Sequence, residues 1–306
     1  MPTTQPLIPA PFSRVAVLGT GLIGGSFALA VRLGGFAAGS PRSSIVGWDK
    51  PEVLQRARAR GVVDEAQTDL RAALAGADLI YIALPVGLTI ERLPEIARLA
   101  PPAALVTDAA STKRLVCEAA EKCFSGGALF LGGHPMAGQE SSGIEAADAA
   151  LFRGAKYALI GNMTGEVARA SAPKDSRVSK FLRLLESIGA RPLWMDAVTH
   201  DRAAALVSHL PQLLAVALAG VVRQQTDQTG LPLTLAGRGL RDALRLAGSP
   251  YAVWRDIVLT NTENIEVGLD RLIQQIEHLR AHLRRRELEE EFAAANEVYK
   301  ILHDLQ

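Results

Sequence analysis

The chain has 306 residues, with 33 Lys and Arg against 32 Asp and Glu and a formal net charge of +1. With these charges interspersed, the composition excludes a basic nucleic-acid-binding face and an acidic tail, and the length suffices for two domains with a substantial core. The two cysteines, Cys117 and Cys123, lie six residues apart on one predicted helix. They build neither a disulfide framework nor a metal cluster, and read as buried or half-buried residues of a reducing, cytoplasmic compartment.

Residues 1–13 carry four prolines and no basic-then-apolar leader, so they are expected to form a disordered lead-in. The apolar run Val15–Leu18 then ends in Gly19-Thr-Gly21-Leu22-Ile23-Gly24 and passes directly into a helical pattern, Phe27–Leu33. In such a turn the first glycine permits a tight reversal, the second lets backbone approach a pyrophosphate, and the third lets helix pack on strand. The helix beyond aims its unpaired N–H groups at the phosphates. A second strand, Ser44–Trp48, ends in Asp49, 25 residues past Gly24. An acid there holds ribose hydroxyls and repels a 2′-phosphate, so NAD is favoured over NADP, although Arg42 and Lys50 stand nearby. The other reading of Asp49 is a cap for the helix beginning near Pro51.

Further strands are predicted at Leu79–Leu84, Leu105–Thr107, Ala128–Leu131, Tyr157–Ile160 and Arg191–Met195. Helices are predicted at Glu52–Arg60, Arg71–Leu74, Ile90–Leu99, Lys113–Lys122 and Ser176–Ile188. This alternation predicts a parallel sheet covered on both faces, a Rossmann-type α/β dinucleotide-binding domain over residues 14–196. Leu84 and Pro85 fall at the carboxyl end of a strand, where such sheets bind ligands. Beyond Asp196 the strand signal stops, and helical spacing over Thr199–Val222 and Leu231–Gln306 predicts an all-α domain over 197–306. The apolar stretch Leu213–Val222 is too short to span a bilayer and reads as core, so no membrane partner is expected. Arg284–Arg286 and Glu287–Glu291 read as offsetting charges along one solvated helical face.

Three constellations carry candidate chemistry. His134 sits in the glycine-rich run Gly132-Gly-His-Pro-Met-Ala-Gly-Gln-Glu140, held extended by Pro135 with small neighbours that leave room for a ligand; the alternative is a histidine bonded structurally in a tight loop. In Asp108-Ala-Ala-Ser111-Thr-Lys113, Ser111 or Thr112 reads as a helix cap, and a hydroxyl there can also bridge cofactor, histidine and substrate. In the helical part, Ser208-His209-Leu210-Pro211-Gln212 places a proline in an apolar helix. Arg238, Arg241 and Arg245 share roughly one helical face, suited either to carboxylate binding or to pairing with Asp242 and Asp256.

Together, Gly19-x-Gly21-Leu-Ile-Gly24, Asp108-x-x-Ser111-x-Lys113, Gly133-His134-Pro135-Met-Ala-Gly-x-Glu140, Ser208-His209-Leu210-Pro211 and Arg241-Asp-x-x-Arg245 resemble the TyrA family of prephenate and arogenate (cyclohexadienyl) dehydrogenases of tyrosine biosynthesis. The resemblance runs in order over roughly residues 14 to 300. It implies an NAD-dependent oxidative decarboxylation in which His134 takes the ring hydroxyl proton. Ser111 would hold His134, nicotinamide and substrate hydroxyl in one geometry. Arg245 would bind a substrate carboxylate, with His209, Gln212 and Trp254 lining the pocket and Glu140 gating access. Gly19, Gly21, Leu22, Ile23, Gly24, Asp49, Leu84 and Pro85 would hold the cofactor.

Two departures bear on the substrate. Prephenate-specific members have a histidine at the position of Gln212, and Arg238 interrupts the glycines before the arginine motif; a dual or arogenate-leaning enzyme is therefore expected. The resemblance also implies a homodimer built by the helical domain; the short segment before Val15 leaves no room for a fused chorismate mutase, and with the helical pattern running to the last residues no appended regulatory domain is expected. Feedback inhibition by tyrosine would then have to act at or near the active site. The competing readings are a β-hydroxyacid dehydrogenase, disfavoured because residues 197–299 contain no lysine, and a non-catalytic NAD-sensing scaffold.

Overall fold

The computed structural model describes residues 12–34, 44–138, 141–161, 175–226, 230–284 and 287–304. By compactness the chain divides into one unit spanning Met1–Asn261 and a second spanning Thr262–Gln306.

In the first unit, β1 (Arg14–Leu18), α1 (Leu22–Gly34), β2 (Ser44–Trp48), α2 (Pro51–Ala59), β3 (Glu65–Gln67), α3 (Leu70–Leu74), β4 (Leu79–Ile82), α4 (Val86–Leu99), β5 (Leu105–Asp108), α5 (Arg114–Cys123) and β6 (Leu129–Leu131) alternate. The six strands form a parallel sheet in the order β3-β2-β1-β4-β5-β6. The order reverses between β1 and β4, which opens a crevice at their carboxyl ends. Strands covered on both faces should be apolar throughout rather than alternating; accordingly, Val15–Leu18 and Leu79–Ile82 are wholly buried.

The edge strand β3 escapes sequence prediction because its three residues, Glu65-Ala-Gln, show no apolar period. It is held by side chains: Arg14 donates Nη1 to Glu65 Oε1 at 2.6 Å and Nη2 to Oε2 at 2.8 Å.

The chain then departs from a single sheet. The strands β7 (Gly133–Pro135), β8 (Lys156–Ile160) and β9 (Arg191–Met195) form a separate sheet, with β7 antiparallel to β8 and β8 parallel to β9. The expectation that Tyr157–Ile160 and Arg191–Met195 extend the parallel sheet is thus corrected. The Tyr157 hydroxyl donates to that of Tyr81 on β4 at 3.3 Å, and Tyr81 stacks on Phe27 of α1 with ring centroids 3.7 Å apart. The helix α6 (Ser176–Ser187) packs Phe181 edge-on against Tyr157. This aromatic column fixes the second sheet, and with it β7, relative to the first.

After β9 the chain is helical: α7 (Ala197–Ala204), a π-helical turn (Ala205–His209), α8 (Leu210–Gln225), α9 (Leu231–Thr234), α10 (Arg238–Leu244), a 3₁₀ turn (Arg245–Gly248) and α11 (Tyr251–Thr260). From α7 through α8 the helix is continuous over Ala197–Gln225, 29 residues, largely apolar and with few of its side chains buried. This corrects the reading of Leu213–Val222 as a short core helix. By length and composition alone the helix could cross a membrane, and it leaves Leu206, Val207, Leu214, Val216 and Val221 exposed within one chain. Pro211 does not break it: the proline directly follows the π turn Ala205–His209, whose extra residue shifts the backbone bonding pattern and absorbs the mismatch of the missing N–H.

The second unit consists of α12 (Thr262–His282) and α13 (Glu289–Asp304). Arg284 lies beyond the end of α12 while Glu289–Glu291 begin α13, so these charges do not share one helix as expected; Arg285 and Arg286 lie outside the described residues.

Candidate active site

The glycine turn leaves β1 with Gly19 at φ +89°, in the left-handed region where a side chain is strained. A Cβ on Gly24 would lie 1.9 Å from the Gly19 carbonyl oxygen, so only glycine permits α1 to start so close to the strand. At Gly21 a Cβ would meet nothing within 4 Å. Its glycine character is therefore not required by the protein's own packing, which fits a backbone left bare for a pyrophosphate.

Asp49, at the end of β2, accepts the Thr20 backbone N–H at 2.7 Å and the Thr20 hydroxyl at 3.2 Å through Oδ2, while Oδ1 accepts the Lys50 N–H at 2.7 Å. The cap of α2 is Lys50, without a side-chain bond, so Asp49 pins the glycine turn instead of capping that helix. A carboxylate has acceptor capacity beyond these bonds, so ribose hydroxyls can still be held. The residues present thus fit NAD.

A cavity of about 490 Å³ opens at the switch point, lined by Gly21, Leu22 and Ile23 after β1, Leu84 and Pro85 after β4, Ser111 after β5, Gly138 after β7, and Pro250, Val253 and Ile257 of the helical region. Residues of the loops after both β4 and β5 thus line this cavity. The cap expectation at Ser111 and Thr112 fails: Thr112 bonds the Thr260 hydroxyl at 2.8 Å, and the N–H groups of Lys113 and Arg114 go to Asp201.

His134 lies on β7, paired with Ala158, and is 8% exposed. It was expected in a loop; two glycines and a proline conceal this strand from pattern reading. A fully buried ion pair anchors it. Lys113 Nζ bonds Asp108 Oδ2 and donates to the Gly133 carbonyl at 2.7 Å, while Asp108 Oδ1 accepts the Gly133 N–H at 3.1 Å. Both backbone groups of the residue preceding His134 are thereby fixed. His134 Nδ1 lies 2.9 Å from Nε2 of His200, and burial, aided by His200, Lys113 and His209, holds the His134 pKa well below 6.5. The imidazole is therefore neutral at physiological pH.

A second polar group forms where the π turn meets α8. His209 is edge-on to Trp254 at 5.9 Å, and its Nδ1 faces the Asn261 amide nitrogen at 3.2 Å. Because Asn261 donates, Nδ1 is the bare nitrogen and Nε2 carries the proton. That Nε2 and the Gln212 Oε1 are both buried with no protein partner. A buried donor and a buried acceptor three residues apart, each without a partner, are uncommon in folded proteins and call for an explanation such as a polar ligand. Arg238, Arg241 and Arg245 are all exposed, with Arg245 in the 3₁₀ turn rather than on the helix of the other two. Arg255 pairs with Asp256 at 2.9 Å, so the expected pairing of Asp256 with the arginine series goes instead to its chain neighbour. Glu140 lies outside the described residues.

His200, Asp201 and Asn261 were not singled out from sequence. His200 stands 66 residues from its partner, at the polar start of an apolar helix, where it reads as a solvated residue.

A glycine-turn dinucleotide site at the switch point of a parallel sheet, with a buried, neutral histidine on the strand that leads to Gly138 of its lining, fits a pyridine-nucleotide-dependent dehydrogenase. The model for the prephenate dehydrogenase nucleotide-binding domain matches residues 27–192, and that for the prephenate dehydrogenase dimerization domain matches residues 196–296. The prephenate dehydrogenase of Lactococcus lactis subsp. cremoris is 34% identical over 273 residues, covering 88% of this chain and 69% of that one. The crystal structure of prephenate dehydrogenase from A. aeolicus with hydroxyphenyl propionate and NAD+ matches with a TM-score of 0.82 at 28% identity, over 99% of this chain and 100% of that one. That of Synechocystis arogenate dehydrogenase matches at 0.72 and 27% identity, over 96% and 100%. The chain belongs to the prephenate dehydrogenase family. It is an NAD-dependent oxidoreductase, and the β-hydroxyacid dehydrogenase and non-catalytic scaffold readings give way.

Proposed function

We propose that this enzyme oxidises and decarboxylates a cyclohexadienol, prephenate or arogenate, with His134 as the proton acceptor. The observation that carries this reading is a buried, neutral histidine on β7, the strand whose following residues Ala137 and Gly138 line the cavity, with the backbone of Gly133 before it fixed by Lys113 and Asp108. NAD, when bound, accepts the hydride from the ring carbon that bears the hydroxyl. His134 Nε2 takes the hydroxyl proton as that C–H bond breaks, and Ser111 holds the hydroxyl and the imidazole in register. Cleavage of the bond to the ring carboxylate releases carbon dioxide and makes the ring aromatic, whereupon His134 returns the proton to the phenolic oxygen. Proton and electron counts close, and aromatisation makes the step effectively irreversible.

At the far end of the substrate, the His209 Nε2–H donates to a carboxylate or carbonyl oxygen, and Arg245 and Glu140 take the charge-pairing and gating roles of the family. Gln212 Oε1 is an unpartnered acceptor, which suits the ammonium of arogenate better than the keto oxygen of prephenate. An arogenate-leaning or dual specificity follows. Tyrosine, sharing that side chain, would inhibit by competing in the same pocket.

The active form is a homodimer. The open faces of the long helix carry Leu206, Val207, Leu214, Val216 and Val221, all exposed within one chain, and apolar area of this kind marks an interface. The match to a dimerization domain over the same residues favours a subunit interface over a bilayer. Two assays test the reading. NADH and NADPH formation with each of prephenate and arogenate should show turnover with NAD on at least one substrate. Sedimentation should give twice the 32.6 kDa chain mass. No turnover in any of the four combinations from folded protein would overturn the proposal, as a monomer mass would overturn the dimer.

A further inference from the structure

His134 is the first of three buried side chains in a hydrogen-bonded chain. His134 Nδ1 lies 2.9 Å from His200 Nε2, and His200 Nδ1 lies 2.8 Å from Asp201 Oδ1. All three are buried: 8%, 2% and 1% exposed in that order. Asp201 also accepts the backbone N–H of Lys113 at 2.6 Å and of Arg114 at 2.9 Å. Those two donors cannot reverse, so the Asp201 carboxylate is committed as an acceptor.

For a singly protonated His200 the direction of every proton in the chain is set by that carboxylate. Asp201 Oδ1 takes the proton of His200 Nδ1. A neutral imidazole protonated at Nδ1 is bare at Nε2, so His200 Nε2 accepts, and the contact with His134 requires a proton on His134 Nδ1. His134 is then bare at Nε2. The remaining nitrogen is left as an acceptor by its surroundings rather than by chance, as in other sites where a carboxylate sets a histidine's tautomer.

We propose that His200, backed by Asp201, is a positioning residue that locks His134 in the Nδ1–H tautomer and so keeps Nε2 free to receive the substrate proton. The proposal rests on the reading of His134 as the proton acceptor. The charged and titratable groups around His134 support it from each packed element: Lys113 before α5, paired with Asp108 of β5; His200 on α7; and His209 in the π turn. Lys113 adds to the burial that disfavours a resting imidazolium, so the neutral tautomer is the form at stake. When His134 gains its proton, Nδ1–H still points at His200, whose own partner is the Asp201 carboxylate. The new charge is thereby shared along the chain.

The test is the protonation state of each histidine nitrogen in ¹⁵N-labelled, cofactor-free protein, read from two-bond ¹H–¹⁵N correlations. The six histidines are assigned by single substitution. His134 should show a protonated Nδ1 and a bare Nε2. His200→Gln places an amide oxygen near the lost Nε2 and should preserve that pattern, with kcat within about tenfold of the parent. His200→Phe removes the acceptor; the His134 tautomers should mix, and kcat should fall about 10–100-fold, the loss seen when a partner that orients a metal-ligating histidine is removed, with KM for the ring substrate unchanged.

A protonated Nε2 on His134 in the parent protein would overturn the proposal. So would an unchanged tautomer and rate in His200→Phe. If His200→Phe does not fold, the parent and His200→Gln spectra still decide. A correct tautomer in a protein that turns over no substrate would sink the reading of the reaction while leaving the tautomer assignment in place.

Discussion

The carboxylate of Asp256 accepts the backbone N–H of Gly87 at 3.0 Å. Through this bond α11 holds the first turn of α4, immediately beyond the Leu84–Pro85 wall of the cavity, and the helical region and the sheet share one pocket. Arg255 bonds the same carboxylate and, as the largest influence, holds its pKa below the usual aspartate value. Asp256→Ala leaves the Gly87 N–H without its acceptor and should cost about 1–3 kcal/mol. Urea unfolding should show a lower midpoint at unchanged slope, together with a raised KM for NAD; unchanged stability would show that solvent replaces the bond at no cost.

Gly21 and Gly24 should fail in different ways. Gly24→Ala meets the Gly19 carbonyl at 1.9 Å and should lower Tm, whereas Gly21→Ala meets nothing within 4 Å and should leave Tm unchanged. Gly21→Ala should nevertheless weaken NAD binding, because its methyl occupies the space a pyrophosphate needs. Thermal melts with and without NAD separate the two cases, and a Gly21→Ala protein with parental NAD affinity would refute the assignment of that turn.

Asp49 serves both turn and cofactor. Asp49→Asn loses charge-assisted bonds to Thr20 and to the ribose, and NAD affinity should fall at least about tenfold at about 1.5–3 kcal/mol per such bond. Discrimination against NADP should relax with it, since the repulsion of a 2′-phosphate goes too. A titration of both cofactors by fluorescence checks the pair of effects.

The Lys113–Asp108 pair is fully buried, and breaking one side strands the other. Lys113→Met should destabilise by about 3–5 kcal/mol, and Lys113→Met with Asp108→Asn should recover part of the loss. Additive losses in the double variant, measured by denaturant unfolding, would argue that the two side chains act separately.

Acid should affect activity late and stability early. His134 is held well below 6.5, first by burial, and burial brings His209 down to about 4. A base with a lowered pKa stays unprotonated as pH falls, so the acid limb of kcat/KM governed by His134 should lie well below pH 6.5. Unfolded histidines bind protons near 6.5, so the stability due to neutral burial is complete above that pH and is lost as pH drops. For His209 the loss runs from about 6.5 to about 4. Tm measured across this range should decline accordingly, and His209→Asn should flatten the decline.

The cofactor half of this site was legible because its constraints are local. Gly19, Gly21 and Gly24 lie within one turn, and Asp49 follows the next strand. The family motifs then pointed to His134, Ser111 and His209. What sequence could not show depends on contacts between distant segments. β3 is fixed by Arg14 from 51 residues away, β7 by the Asp108–Lys113 pair, and His134 by His200 across 66 residues. Each partner looks ordinary in its own window: a polar edge, a glycine-rich loop, the start of an apolar helix. The π turn at Ala205–His209 is hidden for the same reason, since its residues keep a helical pattern whether or not one residue is inserted.

The most direct test of the central claim is steady-state turnover of His134→Asn with NAD and the preferred ring substrate, beside an NAD titration of the same sample. If His134 is the proton acceptor, kcat should fall by about two to four orders of magnitude while NAD affinity stays at the parental value. Turnover within a few-fold of the parent would contradict it and move the proton acceptor elsewhere in the pocket.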